Sequence, residues 1–217
     1  MPPDLKQREH DGRVVDAALA AFDKPNLYAL CEADMTPDFI AWMLQLFETV
    51  RDPIVKLHVG GKLVGPWTRR HPEIEAALVH AFLREAENPD PLTGHDSMLW
   101  GFGSDLQRFV RRKSPFLSTY LAIASNPRYG AARQMFVVLL GRFDAAAVED
   151  TLVPLLEDQD VQGHAALALR RAPSPRALPA LTALARNAPH KWMRKHAEGA
   201  IQAIEKLAAK QAASRPG

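Results

Sequence analysis

Three histidines occupy corresponding places in short, similar segments of the 217-residue chain: His58 in VKLHVGGKL, His164 in VQGHAALAL and His196 in MRKHAEGAI. Imidazoles recurring at one place of a repeat would form a ladder able to hold a metal ion or to titrate near neutral pH. Two repeats separate His58 from the others, and the remaining pair has no obvious carboxylate beside it, so packing near a helix crossing accounts for them and no metal is expected. His95, Asp96 and Ser97 have the residue types of a hydrolytic triad, but triad members converge from separate segments. A helix N-cap at Asp96 or Ser97 explains them instead. The single cysteine, Cys31, excludes an intrachain disulfide and a cysteine metal cluster. It is expected to pack between N-terminal helices in a reducing compartment. HExxH, a phosphate-binding loop and GxSxG are absent, and Gly101-Phe102-Gly103 lacks the third glycine of a dinucleotide loop. The expectation is a non-enzymatic chain with no catalytic residue and no cofactor.

A second group of residues suits recognition. Trp67 precedes Arg69 and Arg70; Trp100 precedes Arg108, Arg111 and Arg112; Arg133, Arg170 and Arg171 follow; Trp192 leads Arg194 and Lys195. Arginine beside tryptophan suits phosphate contact with base stacking, and equally a protein hot spot. Several of these arginines also sit where a helix C-terminus would favour a cation by itself. Residues 1–100 carry 10 Lys/Arg against 16 Asp/Glu, whereas residues 101–217 carry 17 against 9. A chain so divided would offer its basic half to an anionic partner, an acidic protein or a nucleic acid. No stretch approaches the roughly 18 uninterrupted apolar residues of a membrane span, and no apolar signal core follows the first ten residues, so a cytoplasmic protein is expected.

These side chains need elements to carry them, and the elements repeat. The segments starting at Val55, Met98, Ala132, Val161 and Met193 each place apolar or small residues at places one, five and nine, which form one helical face. Places two and three are expected to project away from it. Ahead of each lies another amphipathic stretch opened by proline or an N-cap residue: Thr36-Pro37, His71-Pro72, Ser114-Pro115, Asp144 and Ser174-Pro175. The spacing predicts capping helices over 1–35, helix pairs over 36–70, 71–113, 114–143, 144–173 and 174–210, and a disordered tail over 211–217. Residues 87–96, with two prolines and a glycine, are expected to form a projecting loop. Pro154 and Pro179 are expected inside first helices, where a lost amide bond would bend the stack.

The pattern apolar-x-x-x-Ala-x-x-Ala-Leu at Val161–Leu169, its relatives at Met193–Ile201 and Ala132–Leu140, and Pro-x-Leu at Pro154–Leu156 and Pro179–Leu181 resemble HEAT repeats, in particular short bacterial, phycobilin-lyase-type repeats. The resemblance implies an all-α, right-handed solenoid of five helix pairs whose second helices line an inner face. It also implies a scaffold that binds a protein partner there. Helical-repeat deoxyhypusine hydroxylases bind iron through His-Glu pairs, and no histidine here precedes a glutamate. HEAT-like alkylpurine DNA glycosylases supply the runner-up, a duplex-DNA binder or repair enzyme, in which Asp105 near Trp100 and Phe102 would take the place of a carboxylate flanked by aromatics. Trp192 either covers the open end of the core or contacts the partner; the contact role is favoured, because Met193 already fills place one and Trp192 lies about 100° around the helix.

Overall fold

The structure is a computed structural model that describes residues 3–87 and 95–213. Among them every regular element is helical and no strand is present. No helix among the described residues is long and apolar enough to cross a membrane. The chain divides into two compact units, Met1–Phe109 and Val110–Gly217.

The first unit opens with α1 (Pro3–Ala20) and two 3-10 turns, Leu27–Ala29 and Glu32–Asp34. The pairs α2 (Pro37–Thr49) with α3 (Pro53–Leu63), and α4 (Pro72–Glu87) with α5 (His95–Phe109), follow. Their starts are chemically explicit. Thr36 Oγ1 accepts the Phe39 amide with Pro37 in the first turn, and the Asp52 carboxylate accepts the amides of Ile54 and Val55 with Pro53 behind it. The amides of Arg51 and Asp52 in turn donate to Asp11 Oδ2 at 2.7 and 2.6 Å, which fastens α1 to the α2–α3 corner. Residues 88–94 of the expected projecting loop, and the side chains of His95, Asp96 and Ser97, lie outside the described residues.

The second unit holds α6 (Leu117–Ser125), α7 (Gln134–Leu140), α8 (Ala145–Leu152), α9 (Gln162–Leu169), α10 (Leu178–Asn187) and α11 (Lys191–Ala213). The second helices α7, α9 and α11 pack side by side. Small residues permit this: a Cβ on Gly141 would come within 2.9 Å of the Ala168 Cα, and Ala165, Ala166 and Ala168 are buried. Places one, five and nine of all five segments are buried except Ile201, which is half-buried. Each fully buried aliphatic of this stripe contributes about 1.5–3 kcal/mol, so a lone pair of helices cannot match what stacking supplies.

Several expectations are corrected. Pro154 does not bend α8 but ends it, opening the 3-10 turn Pro154–Leu156. Pro179 is the second residue of α10, where its missing amide costs nothing. The Ser174 hydroxyl caps no helix; it donates to Glu149 Oε2 at 2.5 Å. The Asp144 side chain likewise makes no cap and pairs with Arg112. Helix α11 continues to Ala213, three residues into the expected tail, while residues 214–217 lie outside the described residues. Cys31 is exposed rather than packed between helices.

Candidate functional site

In the second unit the stacking of α9 on α11 creates an aromatic cluster. Trp192, in the first turn of α11, lies between His164 of α9 and His196 one turn further along, with ring centroids 5.3 and 5.7 Å away. Gly163 makes room for it: a Cβ there would overlap the indole and come within 2.9 Å of Met193 Cγ. The indole is nonetheless 41% exposed. Trp192 therefore covers the α9–α11 junction and at the same time lies partly open to solvent.

Cations stand on the same helix as this ring and beside His196. Arg170 lies over Gly199 and donates from Nη1 to His196 Nδ1 at 3.3 Å. A guanidinium only donates, so His196 accepts in its neutral form. Burial first, then Arg170 and Lys195, hold the His196 pKa below the usual histidine value. Burial and the neighbouring His196 push His164 down to about 4. Arg171, Lys191 and Lys195 are exposed, and none has an ion pair among the described residues. No group of three or more histidine, cysteine or acidic side chains poised for a metal ion occurs among the described residues.

The remaining expected contact residues fare differently. Arg133 is 1% exposed: Nε donates to Gly130 O, Nη1 to Ala124 O, and Nη2 to Asp158 Oδ2 at 2.6 Å. Place two lies only about 60° from the middle of the one-five-nine stripe, on its flank, whereas place three lies about 160° away. Leu99 and Lys56, also at place two, are buried for the same reason, and Lys56 pairs with Glu85 at 3.3 Å. Arg194 is half-buried and closes the loop before α11 through Ala188 O at 2.6 Å. Arg111 and Arg112 are both exposed, and Arg112 pairs with Asp144.

In the first unit Arg69 and Arg70 are exposed, while Trp67, Trp100 and Arg108 line a cleft of about 590 Å³. Trp67 folds over Gly65 and donates Nε1 to Leu63 O at 2.8 Å, which fixes its ring. The two 3-10 turns before α2 complete the wall with Leu27, Tyr28, Leu30 and Glu32, and His58, Lys62 and Asp105 also face it. Asp105 is 8% exposed. Burial pushes its pKa up to about 6 against the opposing pull of Arg108, whose Nη1 lies 3.5 Å from Oδ1. Phe102, placed with Asp105 by sequence proximity, instead turns into the core against Phe47, with centroids 6.1 Å apart. Tyr28, Leu27 and Met35 were not identified from the sequence; the two short turns carrying them have no periodicity to read.

Residues 117–207, all within the second unit, match the family model described as HEAT repeats. No curated protein and no solved structure matches the chain.

Proposed function

With residues 117–207 belonging to the HEAT-repeat family as the premise, we propose that the protein is a non-catalytic interaction module that binds an acidic protein segment along the exposed strip of α9 and α11. HEAT repeats generally mediate protein–protein interaction, and stacked pairs expose an extended surface suited to it. The observation that carries the reading is Trp192: a large ring held in place by Gly163 and partly open to solvent, with Lys191 and Lys195 on the same helix and Arg170 bonded to the adjoining His196. Rigid aromatic anchors with flanking cations match hot-spot composition, and excess positive charge steers acidic partners. The second unit carries 16 Lys/Arg against 8 Asp/Glu, which supplies that excess.

A fluorescent acidic peptide containing one leucine and one phenylalanine, titrated by anisotropy, tests the reading. Trp192→Ala is expected to weaken binding by 30-fold or more, about 2 kcal/mol. Lys195→Ala is expected to act mainly through the association rate and its salt dependence. Equal affinity of wild type and Trp192→Ala would overturn it. Duplex DNA is the runner-up ligand for the same cations. Its signature is a steep linear fall of log affinity with log salt as counterions are released.

A further inference from the structure

The cleft of the first unit is separate from the strip just described and calls for a ligand of a different kind. Its apolar wall is formed by Leu27, Leu30, Met35, Leu57 and Val64, and Trp67 and Trp100 line it as well. About 590 Å³ is room for a small organic molecule and lies within the usual range for such sites. Asp105 is the only charged lining residue that is buried. Its one partner among the described residues is Arg108 at 3.5 Å, whose side chain is mostly exposed at the rim. The other oxygen, Oδ2, faces Gly61, where there is no side chain to donate to it. The Trp67 donor is already spent on Leu63 O, and the Lys62 ammonium sits over the exposed Tyr28 ring, 5.7 Å from its centroid. The cleft is thus lined by two tryptophans and a carboxylate with a single long ion pair.

We propose that this cleft binds a small organic amine: an apolar ring system stacked on the tryptophans, with a protonated nitrogen that donates to Asp105. A buried carboxylate lacking a close donor gains most from a cation that brings N–H groups, and a ring-bound ammonium adds cation–π attraction. The first unit, with 11 Lys/Arg against 17 Asp/Glu, attracts such a ligand electrostatically. The raised pKa of Asp105 fits a group whose burial outweighs the compensation that Arg108 supplies. Other titratable groups lining the cleft are Arg108 on α5, His58 and Lys62 on α3, and Glu32 on the second 3-10 turn.

The test uses the full chain, calorimetry, and two probes of one shape: 1-naphthylmethylamine, protonated at pH 7.5, and the neutral 1-naphthalenemethanol. The amine is expected to bind at least tenfold more tightly than the alcohol at pH 7.5. It is expected to lose about tenfold between pH 7.5 and 5, because only the ionised fraction of Asp105 is competent. Asp105→Asn is expected to keep its fold, bind both probes alike and flatten the pH profile, whereas His58→Gln keeps the profile. Carboxyl-carbon NMR is expected to show the amine lowering the Asp105 pKa. Equal affinity for amine and alcohol, no detectable amine binding at millimolar concentration, or an unchanged pH profile in Asp105→Asn would overturn the proposal.

Discussion

Replacing Arg133 by alanine separates a structural strut from a contact residue. The guanidinium is buried and donates three hydrogen bonds, two to main-chain carbonyls (Ala124 and Gly130) and one to Asp158. Asp158 is partly open to water, its side chain 27% exposed, so the charge pair itself is screened and contributes only a modest part. The larger part comes from the two carbonyls left without their donor, at about 1–3 kcal/mol each, and from the void left by a long buried side chain. These losses overlap, and about 3–5 kcal/mol is expected for Arg133→Ala. For a unit of this size that lowers Tm by on the order of 15 °C. Asp158→Ala is expected to cost about 1–2 kcal/mol, since it leaves the carbonyl bonds intact. Urea denaturation followed by circular dichroism measures both, and the double variant reports their coupling. A loss below about 1 kcal/mol for Arg133→Ala, together with a loss of peptide binding, would refute the strut and return Arg133 to the surface.

Trp192→Ala is expected to destabilise the second unit by about 2–3 kcal/mol, the cost of removing a fully buried ring scaled to the part that is covered; acrylamide quenching of a variant retaining only Trp192 should show intermediate accessibility, and complete protection would contradict the surface role. Gly163→Val should displace that ring and reproduce the binding loss of Trp192→Ala, as read by the same anisotropy titration. His164 has a folded pKa of about 4 against an ordinary histidine value. The unfolded chain therefore binds the proton first, and stability present above about pH 6.5 is lost progressively as pH falls towards 4. Denaturation at pH 7.5 and 5 should show this loss, reduced in His164→Gln. Asp105 works in the opposite direction: its raised pKa means that stability is lost as pH rises through about 6, so Asp105→Asn should raise the stability of the first unit at pH 8, and a destabilised variant would show that the carboxylate is compensated after all.

The helical pairs were legible because burial acts on a face. Val161, Ala165 and Leu169 repeat at the period that puts them on one side of α9, and so do Ala132, Phe136 and Leu140 across α7 and the 3-10 turn before it. Thr36 was legible as a cap because an oxygen three residues ahead of a free amide has one obvious use, whereas the Asp52 cap emerged only from the structure. Arg133 was misplaced because residue type argues for the surface while its angular position argues for the flank of the stripe; the Gly130 turn, with φ of 45°, and Asp158, 25 residues on, decide the matter and are not local to it. Ser174 failed as a cap for the same reason, since Glu149 from the preceding first helix competes for its hydroxyl. The cleft was half legible: Asp105, Trp100 and Arg108 share α5, but Tyr28 and Met35 reach it from segments whose place only tertiary packing sets. Of the tryptophan and arginine set, Trp192, Arg170 and Lys195 come together on one surface, whereas Trp67 and Trp100 belong to the cleft.

The central claim is that the strip around Trp192 recognises an acidic protein segment. Its most direct test is competition at physiological salt between a labelled acidic peptide and a 20-base-pair duplex for the intact chain, with wild type and Trp192→Ala measured side by side. The account predicts that unlabelled peptide displaces labelled peptide, that the duplex competes only at low salt, and that Trp192→Ala abolishes peptide binding while sparing the weak duplex binding. A duplex that outcompetes the peptide at physiological salt, or a peptide indifferent to Trp192, would contradict it.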